Sequence, residues 1–91
     1  MLWPMEAEGL LGTKLVFGDN VLEVFSHGKS SVRLMVGSDI EIERNPFGDG
    51  MRVNIRVPGG GKMLAFSAEQ KRAADALLDA FEAAGRAPAE P

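Results

Sequence analysis

Few side chains in this sequence are of the types that enzymes use for catalysis. The 91 residues contain one histidine, His27, and neither cysteine nor tyrosine. His27 stands in a His-Gly-Lys turn between two predicted strands. A single imidazole has no second histidine or cysteine with which to hold a metal ion. We therefore interpret His27 as an exposed turn residue and predict no metal site.

Three carboxylates alternate along one predicted strand, at Asp39, Glu41 and Glu43. Side chains two residues apart on a strand lie on the same face, about 7 Å from each other. We interpret this row as a solvent-exposed strand face that pairs across the sheet with Arg52 and Arg56, and not as a general acid–base pair.

A glycine run, Gly59-Gly60-Gly61, precedes Lys62 and partly matches a phosphate-binding loop. The Walker A motif needs G-x-x-x-x-G-K-[ST] between a strand and a helix. Here Met63 follows the lysine and another predicted strand comes next, so we interpret the run as a hairpin turn. With these three patterns explained structurally, the sequence predicts that the protein is not an enzyme and uses no cofactor.

Arginines on the predicted strands offer a different kind of chemistry, the binding of anions. Arg33, Arg52 and Arg56 fall on the polar face of their strands and form a candidate patch for a small anionic ligand or nucleic acid. No aromatic residues alternate with them, which disfavours stacking on single-stranded nucleic acid. The net charge of −3 also disfavours nucleic acid and anionic membranes as partners.

Apolar residues that fall outside the predicted core are candidates for protein contact. They are Trp3, Phe25, Met35 and Phe47. Phe47, in an Asn-Pro-Phe-Gly-Asp-Gly loop over residues 45–50, has an alternative role as a plug at the end of the core. These residues, in a chain without catalytic groups, predict a protein-interaction or self-assembly module that binds a protein partner or a second copy of itself.

The elements that position these residues follow an α+β pattern. Residues 13–66 contain six short β-favouring runs with turns at 8–12-residue spacing and no helix between them, so the strands must pair antiparallel. Residues 68–84 then change to helical spacing after a Ser67-x-x-Gln70 capping box. The apolar stripe of this helix consists of Ala74, Leu77, Leu78 and Phe81.

Residues 13–85 are predicted to form one domain. Residues 1–12 are predicted to be irregular because Pro4 and Gly9 interrupt any periodicity, and residues 86–91 to be a flexible tail. No apolar run approaches the ~20 residues of a membrane span. The start of the chain carries Glu6 and Glu8 and no basic region, unlike a secretory signal. Together with the lack of cysteine, this favours a cytoplasmic location.

A run of hairpin strands closed by one amphipathic helix resembles the small bacterial pleckstrin-homology-like domains. The resemblance covers about residues 11–84. It is carried by V-L-E-V-F-S-H-G-K-S-S-V-R-L-M-V-G-S-D-I-E-I-E-R, by G-M-R-V-N-I-R-V-P and by G-K-M-L-A-F-S before the helix. Within the first passage, Ser38-Asp39-Ile40 matches the turn and Asp-Ile start of a strand found in such families.

This resemblance implies a bent, partly open β-barrel of six to seven strands, with the helix at one end, and a binding or scaffolding role, often in oligomers. That fold has seven strands, so residues 2–5 are the candidate for the strand missing from our six. The first hairpin turn, Gly18-Asp19-Asn20, is acidic where lipid-binding members are basic. No phosphoinositide-binding residue is therefore transferred to this chain.

Overall fold

The computed structural model describes residues 4–25, 32–37, 40–57 and 60–86. Within these residues the chain forms seven antiparallel strands in two sheets, followed by one C-terminal helix. Every pairing joins two strands that are consecutive in sequence, and β4 and β5 belong to different sheets. The α+β class and the antiparallel pairing are therefore confirmed. Sheet A consists, in order, of β1 (Met5–Glu8), β2 (Lys14–Gly18), β3 (Val21–Phe25) and β4 (Val32–Met35).

Sheet B is a three-stranded meander packed against sheet A, and α1 (Ala68–Arg86) covers one side of the space between the sheets. No strand of one sheet pairs with a strand of the other among the described residues, so the sheets do not close into a barrel. Sheet B consists of β5 (Glu41–Phe47), β6 (Gly50–Val57) and β7 (Gly60–Phe66).

The N-terminal segment contains a strand where the sequence predicts irregular chain. Strand β1 buries Ala7 on its inner face, points Glu6 outward to an ion pair with Lys14 at 3.4 Å, and pairs with β2 throughout. Gly9 ends the strand, and a 3₁₀ turn, η1 (Leu10–Gly12), leads into β2. The seventh strand thus begins at Met5 and does not include Pro4, whereas residues 2 and 3 of the predicted segment lie outside the described residues.

Two hairpin turns consist of two residues each. Asp19 and Asn20 both have positive φ (52° and 63°), which matches the right-handed twist of the flanking strands β2 and β3. Between β5 and β6 the turn is Gly48-Asp49, with Gly48 at φ 60°. The long loop predicted over residues 45–50 is therefore wrong: both strands extend into it, and Pro46 is accommodated because β5 is an edge strand.

The core lies between the inner faces of the two sheets and the apolar stripe of α1. The period-two alternation predicted for β4 and β6 is confirmed: Leu34 of β4 and Met51, Val53 and Ile55 of β6 point inward, and Arg33 and Met35 point outward. The helical stripe is confirmed as well, and the ring of Phe81 meets that of Phe17 edge-on at 5.5 Å. The fully buried large side chains are Leu15, Leu22, Val24, Val53, Ile55, Leu64, Phe66, Leu77 and Leu78.

The capping box at the start of α1 is formed as predicted. The backbone N–H of Gln70 donates to Ser67 Oγ at 3.2 Å, and the backbone N–H of Ser67 donates to Gln70 Oε1 at 2.9 Å. These bonds fix the start of the helix immediately after β7. The part of the chain that the structure describes contains no helix long and apolar enough to cross a membrane.

Candidate functional site

The outer face of sheet B carries an unusual mixture of exposed apolar and charged side chains. Strand alternation places Phe47 of β5, Arg52 of β6 and Met63 of β7 on this face, opposite the buried face that packs against α1. Phe47 is 48% exposed and Met63 is 64% exposed. The prediction that Phe47 plugs the core is therefore wrong, because its position in register with Gly50 turns the ring outward.

Arg52 occupies the centre of this face. Its guanidinium carbon lies 5.9 Å from the centroid of the Phe47 ring, a cation–π distance. Its Nε atom is buried and has no hydrogen-bond partner among the described residues. An unsatisfied buried donor on a charged group costs more than a typical hydrogen bond contributes, about 1–3 kcal/mol or more. Because the Nε atom is covered, a partner that approaches this face can pair with the charge of the guanidinium but not directly with Nε.

The two carboxylates of this face have neighbours within the chain, although both contacts are long. Arg56 stands opposite Glu41 in register, with 3.9 Å between the charged atoms, so the predicted cross-strand pairing is confirmed for this arginine. Glu43 accepts a long hydrogen bond of 3.5 Å from Asn54. Arg52 has no such pairing, since it stands opposite Asn45. It is therefore the arginine of this face that lacks a carboxylate partner among the described residues.

The three arginines of the predicted anion patch lie on two different sheets. Arg33 belongs to β4 of sheet A, where its Nε donates to Glu23 at 3.0 Å. Arg52 and Arg56 lie four residues apart on β6, about 13 Å along the strand. The structure therefore brings only the latter two onto one face, and one of them faces a carboxylate.

The predicted contact residues are divided between two surfaces. Met35, 56% exposed, and Phe25, half-buried, lie on the outer face of sheet A, whereas Phe47 lies on sheet B. Trp3 falls outside the described residues, as do His27 and Asp39. Met63 lies on the same face of sheet B as Phe47, and the sequence analysis does not predict it as a contact residue. Its position between Lys62 and Leu64, which both point inward, nevertheless indicates an outward side chain.

Arg44 forms the most extensive ionic cluster of the described residues. The sequence analysis does not predict its partners. Its guanidinium bonds to Asp75 at 3.1 Å, Asp79 at 3.0 Å and Glu82 at 2.8 Å, all on one face of α1. Lys71 adds an ion pair to Asp75 at 3.7 Å. The spacing of the three acids (i, i+4, i+7) indicates one helical face, and Arg44 shares the inward parity of Ile42.

The carboxylates around Arg44 control its ionisation. Burial alone would lower the pKa of Arg44, but hydrogen bonds to Asp79 and Asp75 and the charge of Glu82 outweigh that effect and raise the pKa above its usual value. Arg44 is therefore a permanent cation that joins the edge of sheet B to α1. This arrangement is structural, because both terminal nitrogens of the guanidinium contact carboxylates of the protein's own helix.

Comparison with known proteins identifies no relative. No protein-family model, no curated protein and no solved structure matches the chain. Within the described residues, no three His, Cys, Asp or Glu side chains are grouped so that they could hold a metal ion. The outer face of sheet B, with Phe47, Arg52 and Met63, is the surface that we carry forward as the candidate functional site.

Proposed function

We propose that this chain is a non-catalytic, pleckstrin-homology-like self-assembly module in which two copies associate through the outer face of sheet B. The observation that carries the proposal is Arg52: its buried Nε lacks a partner, and it lies between the exposed apolar side chains of Phe47 and Met63. Aromatic residues, methionine and arginine are the residue types enriched at the cores of protein interfaces.

The layout of charge on this face favours a second copy as the partner. Carboxylates lie on β5, at Glu41 and Glu43, and arginines lie on the adjacent β6. A two-fold axis through the face places β5 of one copy over β6 of the other, so that each copy presents a carboxylate to the other's Arg52. The two halves of the interface are then equivalent, and the charge of Arg52 is paired in both copies.

Support for the pleckstrin-homology-like type comes from the order of elements. Four antiparallel strands, then three, then a closing helix give the seven-strand count that the resemblance implies. Modules of that type commonly act by binding and assembly, which fits the proposed role. Anion binding has less support, since Arg33 and Arg56 each face a carboxylate of the chain itself.

Sedimentation at a series of protein concentrations tests the proposal with two matched methionine variants. Met63→Ser removes an exposed apolar side chain from sheet B, and Met35→Ser removes one of similar exposure from sheet A. We expect the unmodified chain to dimerise and Met63→Ser to weaken dimerisation at least about tenfold, because each buried methionine contributes about 1.5–3 kcal/mol. Met35→Ser is expected to leave the dimer unchanged.

Two outcomes would overturn self-assembly through this face. One is a chain that stays monomeric up to millimolar concentration. The outer face of sheet B would then be left as a binding surface for a different protein. The other is a dimer that is weakened by Met35→Ser and not by Met63→Ser, which would move the interface to sheet A. Circular dichroism of both variants establishes that each remains folded.

A further inference from the structure

A second surface, independent of the proposed dimer face, lies where the two sheets fail to join. Strand β4 is an edge of sheet A and β7 is an edge of sheet B, and the two flank an open groove of about 310 Å³. We call it the β4–β7 groove. The residues that the argument uses are Val32 and Leu34 of β4, Ile55 and Val57 of β6, and Gly60 and Lys62 of β7.

The groove offers unpaired backbone as well as apolar side chains. Strand β4 pairs only with β3 and β7 only with β6, and no backbone hydrogen bond joins β4 to β7 in the described ranges. An exposed strand edge is a template for pairing with another extended chain. Between these edges the floor is apolar, so a strand placed there would bury its side chains as well as satisfy the edge.

Lys62 gives the groove a chemical preference. It lies on the inward side of β7, in register with Ile55, where its neighbours Leu64 and Phe66 are buried. Within the described residues no carboxylate lies within ion-pair distance of Lys62. Lys62 is half-buried as a residue and lies beside an apolar floor. Filling the groove would remove water from around its charge, so an acidic side chain in the occupant is favoured because it pairs with that charge.

We propose that the β4–β7 groove binds an extended segment of a partner protein that adds to the free edge of β7. On a strand, side chains two residues apart lie on the same face. The segment therefore follows the pattern apolar-x-acidic-x-apolar: the acidic residue stands opposite Lys62, and the two apolar residues contact the floor on either side. Main-chain hydrogen bonds along β7 supply affinity, and Lys62 supplies selectivity.

The test uses two end-blocked heptapeptides, TVTETVT and TVTKTVT, titrated into the full chain by calorimetry up to 1 mM. We expect the glutamate peptide to bind at least tenfold more tightly than the lysine peptide. Lys62→Glu should reverse that order. Arg72→Glu makes the same change of charge on an exposed helical position and is expected to leave the order unchanged.

A groove-filling variant separates edge pairing from charge attraction alone. A side chain added at Gly60 meets no atom within 4 Å, so Gly60→Leu fits the fold while occupying the groove, and it should abolish binding of both peptides. Equal binding of the two peptides, no binding at 1 mM, or an equal effect of Arg72→Glu would each overturn the proposal. Met63→Ser, which tests the dimer face, should leave peptide binding intact, so the two proposals fail separately.

Discussion

Arg44 differs more than any other described residue from what its type suggests. A charged residue on an edge strand is expected to face water, yet Arg44 turns inward and is only 23% exposed. It satisfies three carboxylates that would otherwise repel one another along α1. This side chain thus links α1 to the edge of sheet B, in addition to the apolar contacts of the helix.

Replacing Arg44 tests that role. Arg44→Met keeps most of the side-chain volume but leaves Asp75, Asp79 and Glu82 without their cation. We expect a loss of about 2 kcal/mol in the free energy of unfolding, because hydrogen bonds to charged groups contribute roughly 1.5–3 kcal/mol. Arg33→Met is the control: that pair is 74% exposed at the arginine and should cost less than about 1 kcal/mol. Urea denaturation measures both, and equal losses would remove the special role of Arg44.

The raised pKa of Arg44 determines how this contribution depends on pH. A base whose pKa is higher in the folded chain stabilises the fold fully below its unfolded pKa, and that contribution is lost only as the pH rises through the folded pKa. We therefore expect the difference in unfolding free energy between Arg44→Met and the unmodified chain to stay constant from pH 7 to pH 10. A steady fall over that range would show that another group titrates in the cluster.

Glycine at position 50 is required by contact rather than by backbone angle. A Cβ atom there would overlap the backbone carbonyl of Phe66, which the register places beside the start of β6. We expect Gly50→Ala to destabilise the chain by more than about 3 kcal/mol, because the backbone of Phe66 and Ser67 has to move. Gly60→Ala, at the start of β7 with open space around it, is the matched control and should change the melting temperature little.

At the scale of elements, α1 completes the core of both sheets. Leu78 is fully buried and Phe81 nearly so, and we expect each substitution to alanine to cost about 2–5 kcal/mol in the free energy of unfolding. Arg72→Ala, on the exposed side of the same helix, is the control and should be nearly neutral. If both core variants melt within a degree or two of the unmodified chain, α1 does not dock as described.

Local patterns were sufficient for the elements whose neighbours are close in sequence. The alternation of residues 51–57, the Asp19-Asn20 turn and the capping box each specify their structure through residues a few positions apart. Strand β1 was missed because Glu6 and Glu8 flank a single buried alanine, a pattern too short to indicate a strand. Residues 5–8 form a strand only because they pair with β2 and pack against α1.

The candidate site was predictable only in part, for a related reason. Parity along a strand identifies which side chains point outward, and this placed Arg52 and Arg56 on one face. Parity does not indicate how strands are divided between sheets, so Arg33 was grouped with them although it lies on sheet A. The ion pairs of Arg44 are not predicted from the sequence, because Asp75 and Glu82 lie on an element 31–38 residues away.

At the scale of the whole molecule, α1 is the element that joins the two sheets. It contacts β1 and β2 of sheet A as well as β6 and β7 of sheet B, while the described sheets share no strand pairing. Truncation after Phe66 should therefore abolish the cooperative thermal transition, measured by circular dichroism. Truncation after Arg86 leaves the helix whole and should preserve the transition. A cooperative transition in the shorter chain would show that the sheets hold together without α1.

The packing of α1 against β1 also brings the first and the last elements of the described residues side by side. Because α1 follows the seven described strands in the sequence, both sheets can pair their strands before the helix has been synthesised, while their apolar inner faces stay uncovered. The core is complete only once this element, which is made after both sheets, packs against β1 and β2 of one sheet and β6 and β7 of the other.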